Sequence, residues 1–372
     1  MSAFVERLAR VRARMGDLGV DVLLVSVGPD LPYLTGYEAM PLERLTMLVV
    51  PRDGDASLVV PRLEAPRVVE RPDVFTVVAW EEGADPVAVV AGLAGAAPSA
   101  AIGDRTWARF LVELQSAMPA TTFRKGSDIT GPLRAVKDAG EIASLRAAAR
   151  AADRVAAELH AGAIGLVGRT EAEVSADIGR RLVAEGHHRV NFAIVGAGPS
   201  AASPHHDASA RVIEQREVVL CDFGGTMLDA DGVGYCSDMT RCVVAGGIAA
   251  PAEIVEAYAV LLDAQQAAVA AAVVGTPCAE VDAVARRAIT AAGFGPRFIH
   301  RTGHGIGIEE HEDPYIVVGN DAELEAGHVF SVEPGIYTDG RWGLRLEDII
   351  VATTAGPEPL NVANHALVIV DA

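Results

Sequence analysis

Residues 300 to 314, HRTGHGIGIEEHEDP, place three of the chain's ten histidines within fifteen positions. His300, His304 and His311 are interleaved with Gly303, Gly305 and Gly307 and run into Glu309, Glu310, Glu312 and Asp313. Imidazoles in such a stretch bind a metal or move protons. Glycines on both sides of His304 let the backbone close on another group, so His304 is the best nitrogen ligand. His300 and His311 remain as hydrogen-bonding or proton-transfer candidates, and SPHHDAS adds His205 and His206. HEDPY is not HExxH, because no histidine follows His311 at the fourth position. GHGIG is not a dinucleotide fingerprint, because it lacks the strand–turn–helix context.

Four acids sit on apolar stretches at similar offsets. Asp222 in LCDFGG and Glu333 in SVEPG each end an apolar strand, 111 residues apart. Asp238 in GYCSDMTR and Glu347 in LRLEDII each lie on the return strand of a hairpin, 109 residues apart. Four carboxylates at one point cannot all stay ionised without a cation, because like charges raise each other's pKa. Four acids and one imidazole suffice for two ions, and such hard donors suit Mn²⁺, Co²⁺, Fe²⁺ or Zn²⁺. Two ions roughly 3.5 Å apart would clamp a hydroxide and polarise a carbonyl. The chain has no G-x-S-x-G elbow and no P-loop, so serine-hydrolase and P-loop chemistry find no support.

A duplicated layout would bring these acids together. Helices at about 138–162 and 170–186 precede strands near 191–196, 217–223 and 234–244. The order then repeats: helices 251–273 and 277–292, then strands near 297–302, 328–333 and 344–353. Thr170 with Glu173 forms a capping box, and Pro277 after Thr276 suits a first helical position. Equivalent positions of two such halves meet around a pseudo-twofold axis.

The first third alternates helix and strand signals and reads as an α/β domain over 1–130. Phe4, Leu8, Val11, Met15 and Leu18 repeat at helical spacing before Gly19, and VDVLLVSV follows as a buried strand. KGSDITGPLRAVKDAGEI reads as a linker. A formal net charge of -19 disfavours nucleic acid and anionic membrane as partners. AYAVLLDAQQAAVAAAVVG is interrupted by Asp263, Gln265 and Gln266, which fits a buried helix better than a membrane span. No secretory signal is evident at the start, and four cysteines without a CxxC pair point to core packing in a reduced, cytoplasmic setting.

The motifs PHH, DFGG…GYCSDMTR, TGHGIGIEEHEDP, SVEPGIY and LRLED, in this order, resemble the pita-bread metallopeptidases. That family includes Xaa-Pro aminopeptidase, prolidase and methionine aminopeptidase. The resemblance covers 134–372, opening with LRAVKDAGEIASLRAA, and implies an α+β pita-bread catalytic domain with internal pseudo-twofold duplication. It implies that Asp222 binds one metal ion, His304 and Glu333 the other, and that Asp238 and Glu347 bridge the two. Manganese comes first, with cobalt, zinc or iron as alternatives. A metal-bridging hydroxide would attack the scissile carbonyl, with Glu333 as its proton partner. His205 and His311 match catalytic, substrate-side histidines, and His300, Tyr337 and Arg345 match substrate-contacting positions. Arg345 would pair with a substrate carboxylate or orient Glu347 or another acid.

The N-terminal domain is similar, more loosely, to that of prolidase, aminopeptidase P and creatinase, which implies a homodimer and Xaa-Pro cleavage of short proline-containing peptides. Dipeptidase and aminopeptidase both fit. The chain departs from the family in a longer loop between Asp222 and Asp238, in Pro199, and in LRLED where RIED is commoner. The alternatives are a creatinase-like C–N hydrolase and a non-catalytic pita-bread binding protein, both of which would have lost ligands.

Overall fold

The computed structural model describes residues 2–371. It divides into two compact units: the first runs to Arg134 and takes in Asp229–Val233, and the second holds the remainder.

The first unit is built on a six-stranded mixed sheet. Its spatial order is Phe75–Trp80, Ala56–Pro61, Met47–Pro51, Val22–Val25, Ser99–Ile102, Thr122–Lys125. Val22–Val25 is buried along its whole length and pairs antiparallel with Met47–Pro51 and parallel with Ser99–Ile102. The helix Ala3–Leu18 buries Phe4, Leu8, Val11 and Met15, and Gly19 ends it at a φ of 64°. Asp85 caps the helix Pro86–Ala94 by accepting from the amides of Val87 and Ala88. The segment expected as a linker is instead helical over Ser127–Ala135, despite Pro132 inside it. Proline cannot donate to the Asp128 carbonyl one turn back, and Arg14 Nε donates to that carbonyl instead, at 2.7 Å. The unit therefore extends past residue 130.

In the second unit each half pairs two helices with a sheet, antiparallel throughout in the second half and antiparallel in the first apart from the parallel pair of Thr240–Ala245 with Val368–Val370. Asp138 and Glu141 form a capping box that starts Ala139–His160, and Thr170 with Glu173 does the same for Glu171–Ala184. These helices bury Val155, Leu159, Val174, Ile178 and Leu182 against Val219, Cys221, Phe223 and Val243. Their sheet runs Val368–Val370, Thr240–Ala245, Val218–Leu228, Arg189–Ala197, with Gly234–Cys236 on the far end of Val218–Leu228. The second half packs Ala252–Ala271 and Cys278–Ala291 on a sheet ordered Glu312–Ile316, Gly303–Gly305, Val329–Val332, Asp348–Thr353, Gly356–Pro359. Pro277 takes the cap position one residue before the helix. Ala252–Ala271 is long and apolar enough to cross a membrane by composition, but Ile254, Tyr258, Leu261, Gln265 and Ala268 turn into the core. All four cysteines are free and buried.

Three strand expectations shift, each for a local reason. The strand expected at 297–302 forms at Gly303–Gly305. Arg286 bonds the carbonyls of Phe298 and His300, at 3.1 and 2.9 Å, so these are not free for a ladder. A side chain at Gly303 would strike the Ser331 carbonyl, and one at Gly305 that of Asp313, so only glycines let three strands close there. The return strand expected over 234–244 breaks between Cys236 and Thr240, and Asp238 lies in the break. The return strand of the second half likewise breaks between Arg345 and Asp348, where Glu347 lies. Asp222 does not end its strand: it sits inside Val218–Leu228.

Candidate metal centre

The irregularities in the ladders place the acids. Asp222 faces Thr240 across the Val218–Leu228 and Thr240–Ala245 pair. Beside Asp238, the Phe223 amide still bonds the Met239 carbonyl at 3.0 Å and the Ser237 amide the Gly225 carbonyl at 2.8 Å. The register is the same on both sides, Thr240 opposite Asp222 and Cys236 opposite Thr226, so Asp238 stands opposite Gly224 in a local opening of the ladder with no residue inserted. Glu347 sits where the chain leaves its pairing with Gly335–Thr338 and joins Val329–Val332. The buried guanidinium of Arg241 secures that crossing, donating to the carbonyls of Thr240 (2.9 Å) and Glu347 (2.6 Å) and to Asp348 Oδ1 (2.7 Å). Glu333 follows Val329–Val332 directly, and its amide bonds the Thr302 carbonyl at 2.7 Å. The Cys236 amide on the Gly307 carbonyl, at 2.8 Å, fastens the first hairpin to the glycine-rich loop of the second half.

A cavity of about 440 Å³ results, lined by Asp222, Asp238, His304, Glu333 and Glu347, by His205, His300, His311, Arg301 and Arg345, and by Phe192, Ile194 and Pro204. Ligand atoms of Asp238, His304 and Glu347 lie within 4.8 Å of one another. His304 Nε2 is 3.1 Å from Glu333 Oε1 and 3.7 Å from Asp238 Oδ2. His304 Nδ1 lies 3.2 Å from the Gly305 carbonyl, which assigns the proton to Nδ1 and leaves Nε2 a lone pair toward the acids. Ser331 holds both partners, accepting from the His304 amide (3.0 Å) and donating to Glu333 Oε1 (3.1 Å).

Arg345 is the buried cation of this cluster. Its Nε donates to Thr240 Oγ1 (2.9 Å), its Nη1 to the Pro204 carbonyl (3.2 Å) and Tyr337 Oη (2.9 Å), and its Nη2 to Asp222 Oδ2. Thr240 Oγ1 in turn donates to Glu347 Oε2 at 2.7 Å. Burial lowers the pKa of Arg345, but Tyr337 and the carboxylates around it raise it further, so it stays charged.

One guanidinium against four acids leaves excess negative charge, and the acids respond unequally. Burial, then Glu347, Asp222 and Glu333, pushes Asp238 well above the usual carboxylate range. Burial, then Glu333 and Asp222, does the same to Glu347. Burial raises Asp222 less, because Arg345 opposes it. Glu333 goes the other way: burial would raise it, but the bond to His304, then His300 and Arg345, holds it at about 2. Asp222 Oδ1 is buried and has no hydrogen-bond partner. Four acids, an orphaned carboxylate oxygen and an imidazole lone pair fit divalent cations.

The other sequence-nominated residues divide. His205 and His311 are both exposed, and both line the cavity. Desolvation, then His304 and Arg301, lowers His311 to about 4, so it is neutral near pH 7. Its ring lies 3.9 Å from that of His304. His300 lines the cavity with Nδ1 on the Arg301 carbonyl (2.7 Å) and Nε2 on Tyr337 Oη (2.9 Å). Tyr337 is buried outside the cavity wall, its hydroxyl between Arg345 and His300. Arg345 spends all three nitrogens on protein partners, an arrangement that orients Asp222 and leaves no free fork for a substrate. His206 serves the scaffold, with Nε2 2.7 Å from the buried Glu171 carboxylate, which also accepts from Ala197 N, Ser209 N and Ser209 Oγ. Of Glu309, Glu310, Glu312 and Asp313, none lines the cavity. Thr240, Ser331 and Arg301 were missed from the sequence. All three stand inside the motifs, but nothing in their spacing separates them from scaffold residues.

This fold and donor set define a metal-dependent hydrolase, and the comparisons agree. Residues 143–354 match the model of metallopeptidase family M24, and 7–136 match the Creatinase/Prolidase N-terminal domain. The chain belongs to metallopeptidase family M24 and is a metal-dependent peptidase. It is 41% identical to the probable dipeptidase PepE of Mycobacterium tuberculosis, over 99% of this chain and 96% of that one. It is 36% identical to the Xaa-Pro dipeptidase of Lactobacillus delbrueckii subsp. lactis, covering 94% and 95%. The crystal structure of dipeptidase PepE from Mycobacterium ulcerans superposes with a TM-score of 0.91 at 42% identity, covering 99% and 98%.

Proposed function

We propose that this chain is a Xaa-Pro dipeptidase that hydrolyses the peptide bond before a C-terminal proline, using two divalent ions of which manganese is the working pair. The observation that carries it is the closed set of four carboxylates and His304 around one cavity, in a chain 36% identical over almost its full length to a Xaa-Pro dipeptidase. Asp222 would hold one ion, His304 and Glu333 the other, with Asp238 and Glu347 between them. Bound there, the ions would supply Lewis acidity and lower the pKa of a water.

The chain's own residues do the rest. Glu333, kept ionised by His304, would serve as a ligand and as the proton partner of that water. Arg345 and Thr240 hold Asp222 and Glu347 in place. His311, neutral near pH 7, and His205 stand on the cavity wall, where they would steady the substrate's oxyanion and leaving nitrogen. Phe192, Ile194 and Pro204 form an apolar wall suited to a pyrrolidine ring. His300 buttresses the site through Tyr337 and Arg345. The buried free thiols accord with a reducing cytoplasm, and we propose a homodimer there, to be checked by light scattering.

The test strips the purified protein with a chelator, restores Mn²⁺, Co²⁺ or Zn²⁺, and assays Ala-Pro, Ala-Pro-Ala and Met-Ala-Ala. Metal-dependent cleavage of Ala-Pro alone is expected, with Mn²⁺ the most effective. Absence of metal-dependent cleavage of any proline peptide refutes the reading, and equal cleavage of Ala-Pro-Ala makes the enzyme an aminopeptidase.

A further inference from the structure

Two guanidiniums line the cavity, Arg345 and Arg301, and their situations differ. Arg345 is enclosed, with donors on Thr240, Pro204, Tyr337 and Asp222. Arg301 is half-buried and has no carboxylate partner among the described residues. Among the described residues its guanidinium makes one hydrogen bond, from Nη2 to His311 Nδ1, at 3.3 Å. Its guanidinium lies over the Tyr315 ring, 4.6 Å from the centroid, which steadies the planar fork while leaving its remaining N–H groups unused.

We propose that Arg301 binds the free α-carboxylate of the C-terminal residue and so sets the enzyme's preference for dipeptides. This rests on the reading of the site as a dipeptidase. In a dipeptide the carboxylate carbon is separated from the scissile carbonyl carbon only by the nitrogen and one Cα, about 3–4 Å away. Its receptor must therefore stand within one side-chain layer of the metal ligands. Arg301 does so: it touches His311, whose ring lies 3.9 Å from that of His304. Guanidinium also matches a carboxylate bidentately, and a cavity holding four acids offers the substrate carboxylate no other uncommitted guanidinium.

The same contact selects the His311 tautomer. Guanidinium only donates, so His311 Nδ1 accepts and the ring proton resides on Nε2. Loss of Arg301 thus affects the reaction in two separable ways. Release of His311 acts on every substrate, whereas loss of the carboxylate bond acts only on substrates that carry one.

The experiment compares Ala-Pro with Ala-Pro-amide in the manganese-loaded wild type, Arg301→Gln and Arg301→Lys. The wild type should prefer the free acid. In Arg301→Gln the ratio of kcat/KM for acid over amide should fall by about 10- to 100-fold, mostly through KM, as expected for a charge-assisted bidentate bond. Effects through His311 cancel in that ratio, and residual turnover of the amide shows that the variant is folded. Arg301→Lys should restore part of the ratio. Calorimetric binding of proline against prolinamide should show the same loss without turnover. An unchanged ratio overturns the proposal, as does a loss seen with Asp-Pro but not with Ala-Pro, which would place an acidic side chain on Arg301. If the wild type cleaves no proline dipeptide, the dipeptidase reading itself fails; if it cleaves acid and amide equally, only this inference does.

Discussion

Replacing Lys137 by methionine should destabilise the catalytic unit by about 3–5 kcal/mol, the usual cost of stranding one member of a buried ion pair. Lys137 Nζ lies 2.8 Å from Glu312 Oε1, and the two side chains are 1% and 7% exposed. At that separation and an effective dielectric of about 20, the attraction is about 6 kcal/mol. Desolvation of both ions offsets most of it, so the intact pair contributes little net stability. Methionine removes the cation but leaves the carboxylate buried without that counter-charge, and the attraction that offset its desolvation is lost.

Glu312 has no route of escape. It follows His311, and its carboxylate packs against Gly307, where a side chain would collide with Oε1. Adding Glu312→Gln to Lys137→Met neutralises the stranded group, so the double variant should recover about 2 kcal/mol. Urea unfolding of the metal-loaded protein, followed by circular dichroism, measures all three variants. A cost below about 1 kcal/mol for Lys137→Met, or a double variant that loses the sum of the singles, would refute this account.

Further expectations concern the metal centre. Thr240→Val removes the donor to Glu347 and an acceptor of Arg345, so metal affinity should weaken about 10- to 100-fold in a chelator competition; unchanged affinity would show that Thr240 is idle. Asp238→Ala should lose both ions if Asp238 bridges them, and normal metal content by elemental analysis would remove that assignment. Asp238 and Glu347 are held well above the usual carboxylate range, so in the metal-free protein they keep protons that the unfolded chain has released. Their contribution to stability is complete below about pH 4 and is lost as pH rises through the raised folded values, so the metal-free protein should weaken with rising pH. Manganese must displace these protons, so binding heats near about pH 6 should depend on the ionisation enthalpy of the buffer; equal heats in two buffers would contradict it.

Much of this protein was legible in the order of its residues. Helical spacing from Phe4 to Leu18, the capping box of Thr170 and Glu173, and the repeat of helix pair and hairpin are local signals, governed by backbone geometry and side-chain period. The acids stood out because Asp222, Asp238, Glu333 and Glu347 interrupt apolar stretches, where a charge needs a partner. His304 stood out through its glycines.

Only the tertiary structure decided how those residues are aimed. Asp238 and Glu347 sit at openings of two hairpin ladders, opposite Gly224 and Glu333, and their meeting with His304 depends on contacts between residues far apart in the chain. Arg286 decided the position of the Gly303–Gly305 strand by occupying carbonyls that local sequence leaves free. The two arginines show the limit most clearly. Arg345 and Arg301 carry the same group into the same cavity, and the sequence singled out only Arg345, for a substrate carboxylate or for an acidic neighbour. Packing surrounds the Arg345 guanidinium with Asp222, Thr240, Tyr337 and Pro204 and leaves that of Arg301 with His311 as its one hydrogen-bond partner among the described residues. Residue type dictates which bonds a guanidinium is able to make, and long-range contacts dictate which of them are already made.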